Sequence, residues 1–203
     1  MSASLPGWDA KHRAAAQGTA VEAASFVREL LPLLPHGPAL DLACGTGRHT
    51  FLLAQRRQPV TAVDGSSVAL EILESRARDA HYVVRRTEKA RAIGVSRQGI
   101  QLMQADLEQA RLPANAFSVI LCVQYLQRSL FSQMERALLP SGVLLFETYT
   151  RAQLEFEGGP RNPEYLLEPG ELRRAFPSLR VLFYRELRAG KGIASLIAEK
   201  APN

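Results

Sequence analysis

The chain has 203 residues, of which 46% are apolar and 22% charged, enough for one domain with its own core and the composition of a folded protein, not a disordered one. No stretch approaches the roughly 18 uninterrupted apolar residues of a membrane span, and the best candidate, Leu30 to Leu34, is broken by Pro32. Met1 to Arg13 carries no apolar run of signal-peptide type and includes Asp9. Two cysteines, Cys44 and Cys122, supply neither a disulfide framework nor a metal cluster, and the histidines (His12, His36, His49, His81) lack metal-ligand spacing. The expectation is a single cytoplasmic domain over residues 1–203 with no membrane partner and no metal.

The net charge is +5, and its location decides what it means. Arg76 to Arg97 holds seven basic residues against two acids, while the rest of the chain holds 18 of each. A nucleic-acid protein more often spreads positive charge along a face that includes its active site. Here the body is neutral, so residues 76–99 are predicted as a solvated basic helical insertion, and nucleic acid is disfavoured as a partner.

In chain order, apolar runs of strand length alternate with stretches of helical period. Thr19 to Leu34 reads as a helix, within an N-terminal helical cap over residues 1–36. Ala39 to Ala43 is a strand that ends in a glycine-rich turn, followed by a helix from Arg48 to Arg57 and a strand from Val60 to Val63. Ser67 opens a helix with Leu70, Leu73, Ala77, Ala80 and Val84 at spacings of three and four. Gln101 to Ala105, Phe117 to Val123 and Val143 to Phe146 are three more strands, with a helix from Ser129 to Leu139 between the last two. Residues 149–169 form a long connection, read either as a lid or as a surface excursion. A helix from Glu171 to Phe176 and strands from Arg180 to Glu186 and Ile193 to Lys200 close the chain. This order predicts an α/β fold: one doubly wound, mostly parallel, seven-stranded Rossmann-like sheet with helices on both faces.

Ligands of such sheets bind beyond the carboxyl ends of the strands. There the chain places Asp41 to His49 (D-L-A-C-G-T-G-R-H), Asp64-Gly65-Ser66, Asp106-Leu107, Gln124-Tyr125-Leu126 and Glu147-Thr148-Tyr149. Gly45 and Gly47 allow a tight turn and a close backbone approach. No Gly-Lys-Ser/Thr follows, which excludes a P-loop, and Thr50 stands where a dinucleotide fingerprint needs its third glycine. An acid beside the turn suits a cationic ligand better than a pyrophosphate. Taken singly, Asp64 or Asp106 could equally be a helix N-cap.

These residues resemble the class I S-adenosylmethionine-dependent methyltransferases. Their first motif is an acid followed by a spaced glycine trio, matched here except that Ala43 replaces the first glycine. The resemblance implies that the turn packs against the amino-acid portion of S-adenosylmethionine, that Asp64 binds the ribose hydroxyls and that Asp106 meets the adenine amine. The cofactor-binding residues so implied are Asp41, Ala43, Cys44, Gly45, Gly47, His49, Asp64, Gly65, Ser66, Asp106, Leu107 and Gln124. Trp8-Asp9, Q-Y-L-Q-R-S-L-F (Gln124 to Phe131) and the Glu147 to Leu172 stretch extend a narrower resemblance over most of the chain. It is to bacterial tellurite-resistance-like proteins related to thiopurine methyltransferases, and it lapses between about His81 and Gly99. It also implies that Trp8 and the first helix fold over the cofactor.

An SN2 transfer from a sulfonium needs orientation more than a protein nucleophile, and no catalytic residue stands out. Cys122 reads as core, Cys44 as a small turn residue, and His49 as a cofactor contact, a cap or a base. Tyr149, Arg128 and Asn162 are candidates for orienting the acceptor. Arg128 serves equally well paired to an acid, and Tyr149 as a structural tyrosine. The expected activity is methyl transfer to a small molecule, a thiol or another chalcogen among the acceptors. The alternative is a non-catalytic S-adenosylmethionine-binding module that docks RNA or a protein through the basic helix.

Overall fold

Parallel strands covered on both faces are apolar along their whole length, and the central strands here show that pattern. All four residues of β1 (Ala39–Leu42) and all seven of β5 (Phe117–Val123) are buried. In the computed structural model, which describes residues 22–202 together with Asp9 and Arg13, they lie at the centre of one sheet. The other strands are β2 (Val60–Asp64), β3 (Val84–Thr87), β4 (Ile100–Gln104), β6 (Leu138–Tyr149), β7 (Leu179–Arg188) and β8 (Gly192–Lys200). The order is β3-β4-β2-β1-β5-β6-β8-β7. Pairing is parallel from β3 to β6, and β8 runs antiparallel to both β6 and β7.

Helices α1 (Ser25–Leu30), α2 (Arg48–Gln55) and α3 (Ser67–Asp79) pack on one face, through Phe26 and Val27, Leu53 and Ala54, and Leu70, Leu73 and Ala77. Helices α4 (Phe131–Ala137) and α5 (Glu171–Arg174) lie on the other, where Phe131, Phe146 and Phe176 stack with ring centroids 5.2–6.0 Å apart. Among the described residues no helix is long and apolar enough to cross a membrane.

The sheet has eight strands where seven were expected, and the additional one is β3. The predicted basic helical insertion over residues 76–99 is therefore corrected: helix α3 stops at Asp79, and His81 turns away with φ 60°. The Val83-Val84 pair favours extended backbone. Beyond it burial alternates, with Val84 and Arg86 turned inward and Arg85 and Thr87 outward. Arg86 sits 3.3 Å from Glu74, 3.5 Å from Glu88 and 3.9 Å from Glu71. Only Arg76 and Arg78 of the basic run belong to a helix.

Two other helices are shorter than their periodicity suggests. The helix read from Thr19 to Leu34 is described only from residue 22; α1 ends at Leu30, and Pro32, lacking an N–H, turns Leu31–Leu33 into a 3-10 segment. Trp8 and most of the 1–36 cap lie outside the described residues. The helix read from Ser129 to Leu139 gives way to β6 at Leu138.

The 149–169 connection leaves β6 and returns through a bridge between Thr150 and Leu167. It contains two 3-10 turns, Arg151–Glu155 and Pro163–Tyr165. Gln153, only 2% exposed, accepts from the Gly192 N–H at 3.0 Å and donates to the Gly158 carbonyl at 3.2 Å. Arg188 meets Glu155 at 2.5 Å, so the connection is fastened to the β7–β8 hairpin.

Candidate active site

The order in which strands are added reverses between β1 and β5, and their carboxyl ends meet where a doubly wound sheet opens to a ligand. Asp41 on β1 is 1% exposed and accepts from the Thr50 hydroxyl of α2 at 2.7 Å. Burial pushes its carboxyl up to about 7 against the opposing pull of the Thr50 bond and of Arg48. Thr50, the residue standing in place of the third glycine, is thus the partner that fastens α2 to this acid.

The turn after β1 is left-handed at Ala43 (φ 55°), Gly45 (φ 54°) and Gly47 (φ 89°). Ala43 takes the position of the missing glycine with a backbone that costs an L-residue roughly 1–2 kcal/mol. Gly47 has a second constraint: a Cβ there would lie 2.1 Å from Leu73 Cδ1 of α3. Cys44 is buried, and burial beside Asp64 and Asp41 holds its thiol well above the usual range, so it is no thiolate.

Asp64, at the end of β2, receives the Gly45 N–H on Oδ2 at 2.8 Å and the Ser66 N–H on Oδ1 at 2.9 Å. Two main-chain donors from different loops thereby fix the plane of the carboxylate. The N-cap of α3 is Ser66, not Asp64: its hydroxyl accepts from the Ala69 N–H at 3.1 Å and donates to Asp9 at 2.5 Å. Gly65 offers its carbonyl to Gln104 Nε2 at 3.3 Å. Asp106, exposed after β4, accepts from the Glu108 N–H at 3.0 Å in a local turn, and Leu107 beside it packs into the core.

Opposite the glycine turn, Gln124 follows β5 with φ 58° and gives its N–H to the Glu147 carbonyl at 2.7 Å. Its side-chain oxygen accepts from Arg48 Nη2, also at 2.7 Å. Tyr149, half-buried at the end of β6, has its hydroxyl pKa raised by burial, with Arg48 pulling the other way. The buried Glu147 accepts from Ser195 Oγ at 2.7 Å, and Arg185 stands 4.0 Å away.

The remaining predicted residues do other work. His49 is buried and accepts the Ala24 N–H on Nε2 at 3.2 Å. Burial, then the nearby Arg48 charge, lowers its pKa to about 3, so it stands neutral as an anchor for the start of α1. Arg128 donates to both oxygens of Glu171 (2.6 and 3.0 Å) and to the Glu164 and Leu166 carbonyls (3.0 Å each). Of its two readings, pairing with an acid is the one observed. Asn162 caps the Pro163–Tyr165 turn through the Glu164 N–H. Cys122 is buried within β5, where burial raises its thiol pKa.

Sequence reasoning passed over Arg48 and the Glu147–Ser195–Arg185 row. The row is invisible without the register that aligns Glu147 with Ser195 and Ser195 with Arg185. Arg48 did leave a signal, as a base directly after the last glycine of an acid-lined turn.

The fold and this constellation define a class I methyltransferase domain. Residues 40–146, more than half of the chain, match the family described as "Methyltransferase domain", and the chain belongs to that family of S-adenosylmethionine-dependent enzymes. It is 26% identical over 166 residues to the malonyl-[acyl-carrier protein] O-methyltransferase of Serratia marcescens, covering 76% of this chain and 57% of that protein. The chain therefore spans little more than half the length of that relative. Among solved structures it is similar to TehB from Haemophilus influenzae (TM-score 0.70, 16% identity, 92% of this chain and 65% of that one). It is also similar to an S-adenosylmethionine-dependent methyltransferase from Mesorhizobium loti (0.65, 16%, 88% and 99%). A third similar structure is the [4+2]-cyclase SpnF (0.63, 17%, 91% and 86%). At these identities the structural likenesses concern the fold alone.

Proposed function

We propose that this protein transfers the methyl group of S-adenosylmethionine to a small-molecule acceptor bearing an oxygen or sulfur nucleophile. One observation carries the reading: the Asp64 carboxylate is held by main-chain donors from the glycine turn and from the start of α3, beside the point where the sheet order reverses.

The residues fit the cofactor by their chemistry. A carboxylate accepts two hydrogen bonds from a vicinal diol, which assigns Asp64 to the ribose, with Gly65 and Ser66 beside it. Asp106 and Leu107, after the next strand, serve the adenine. The Asp41 to His49 turn and Gln124 border the amino-acid end, and Tyr149 stands on the acceptor side. When bound, the cofactor supplies an electrophilic methyl on a sulfonium. The chain's own task is alignment, worth up to roughly 7–11 kcal/mol when reactants are held in line. Neither cysteine is set up as a thiolate, both being buried with raised pKa values, and the Nε2 lone pair of His49 is taken by the Ala24 N–H.

The name of the Serratia relative supports oxygen among the acceptors, while the resemblance to tellurite-resistance-like proteins supports a chalcogen. The docking-module alternative invoked a basic helix; of that basic run only Arg76 and Arg78 are helical, and Arg85 and Arg86 lie on the short edge strand β3. Calorimetric titration with S-adenosylmethionine, S-adenosylhomocysteine and NAD tests the reading. Binding of the two adenosyl ligands without NAD is expected, and absence of both refutes it.

A further inference from the structure

Arg48 is a half-buried cation whose setting is incomplete. Other inward-turned arginines are better provided for: Arg56 donates to the Leu31 and Leu34 carbonyls, and Arg86, whose Nε has no partner among the described residues, still has its charge paired by three glutamates. A guanidinium carries five N–H donors in a planar fork. Among the described residues Arg48 uses one of them, Nη2 to the neutral amide oxygen of Gln124. Asp41 and Glu147 are near enough to act on its charge, yet neither lies within the 4.0 Å of an ion pair. Burial lowers its pKa, the direction expected of a cation short of a partner.

Its position points the same way. Arg48 follows Gly47 directly, and its one bond crosses the reversal point to Gln124, so the fork is anchored at the mouth of the site between the turn and the ends of β5 and β6. The Gln124 bond fixes one Nη, which orients the guanidinium plane before any ligand arrives. Planar, bidentate recognition by an oriented guanidinium suits a carboxylate.

We infer that Arg48 is a carboxylate-binding residue of this site, fixed in place by Gln124. The inference rests on the methyltransferase reading and adds to it a ligand group. That carboxylate has two sources, the amino-acid end of the cofactor or a carboxylate on the acceptor.

The test compares S-adenosylhomocysteine with its decarboxylated analogue, which keeps the amine, by calorimetry on the wild-type chain and on Arg48→Met. If the cofactor is the source, the wild-type protein prefers the carboxylated ligand by about tenfold or more, the worth of a charge-assisted pair, and the preference falls to near one in the variant. If the acceptor is the source, that preference is absent, and the protein saturated with S-adenosylhomocysteine binds malonate only while Arg48 is present. Because each ratio is internal to one variant, a general loss of affinity cancels. Arg48→Lys, which keeps the charge without the fork, gives an intermediate ratio and serves if Arg48→Met does not fold. Adenosyl ligands that bind with no Arg48-dependent discrimination, together with no Arg48-dependent malonate binding, overturn the inference alone. Failure of the wild-type protein to bind any adenosyl ligand overturns the methyltransferase reading as well.

Discussion

Replacing Asp41 by asparagine removes a buried carboxyl while keeping an oxygen for the Thr50 hydroxyl. Burial raises that carboxyl from an ordinary 3.8 to about 7, with Thr50 and Arg48 opposing. Between those values the folded protein holds a proton that the unfolded chain has released. Each pH unit therefore lowers stability by about 1.4 kcal/mol, and the whole interval by about 4 kcal/mol. His49 has the opposite sign: its pKa falls from 6.5 to about 3 on burial, so between those values the unfolded chain binds a proton the fold refuses, and stability rises with pH. The two groups offset one another across nearly the same window. Asp41→Asn leaves only the histidine's contribution, so the stability of the variant relative to wild type grows by about 3 kcal/mol between about pH 4.5 and about pH 7.5. Urea unfolding at both pH values, with m-values compared, measures it. A difference between variant and wild type that is constant, or that shrinks with rising pH, refutes the placement of a protonated Asp41 in the core.

Asp64→Ala weakens S-adenosylhomocysteine binding by about 1–3 kcal/mol through loss of charge-assisted hydrogen bonds; unchanged calorimetric affinity would mean that the ribose binds elsewhere. Arg128→Ala releases the Pro163–Tyr165 turn from α5 and so increases limited proteolysis near Gly158 and Gly159, with adenosyl-ligand affinity unchanged. A large affinity loss in that variant would return Arg128 to the binding machinery. Exchanging Arg85, Lys89, Arg91 and Arg97 together for serine leaves the salt dependence of turnover and the cofactor affinity as they are. Strongly salt-dependent binding of RNA that vanishes in this variant would instead reinstate a nucleic-acid role for the segment.

The placement of the candidate site was legible because it lies at strand ends, and strands buried on both faces announce themselves as apolar runs. Phe117–Val123 is found where it was read, and Asp64 ends β2 and Asp106 follows β4 as the alternation required. β3 was missed because Leu73, Ala77, Ala80 and Val84 keep helical spacing past the true end of α3. What stops the helix is the left-handed turn at His81 and the pairing of Val84–Thr87 with β4, a long-range contact that no local period records. Arg128 and Asn162 read as recognition residues because exposed polar side chains near a site look alike in sequence. Their partners, Glu171 and Glu164, show that they hold the connection in shape. Arg48 was overlooked for the opposite reason, since its importance lies in the partner it lacks.

The contact between Gly47 and Leu73 separates two meanings of a glycine motif. Leu73 Cδ1 occupies the place where a side chain at position 47 would begin, so one of the turn's glycines is demanded by the helix beneath it, whatever lies above. Packing would keep selecting glycine there in a descendant that had ceased to bind any adenosyl compound. Enlarging position 47 is therefore a stability experiment as much as a binding one. Asp106, exposed and bonded only within its own local turn, is a better record of the chemistry than that glycine.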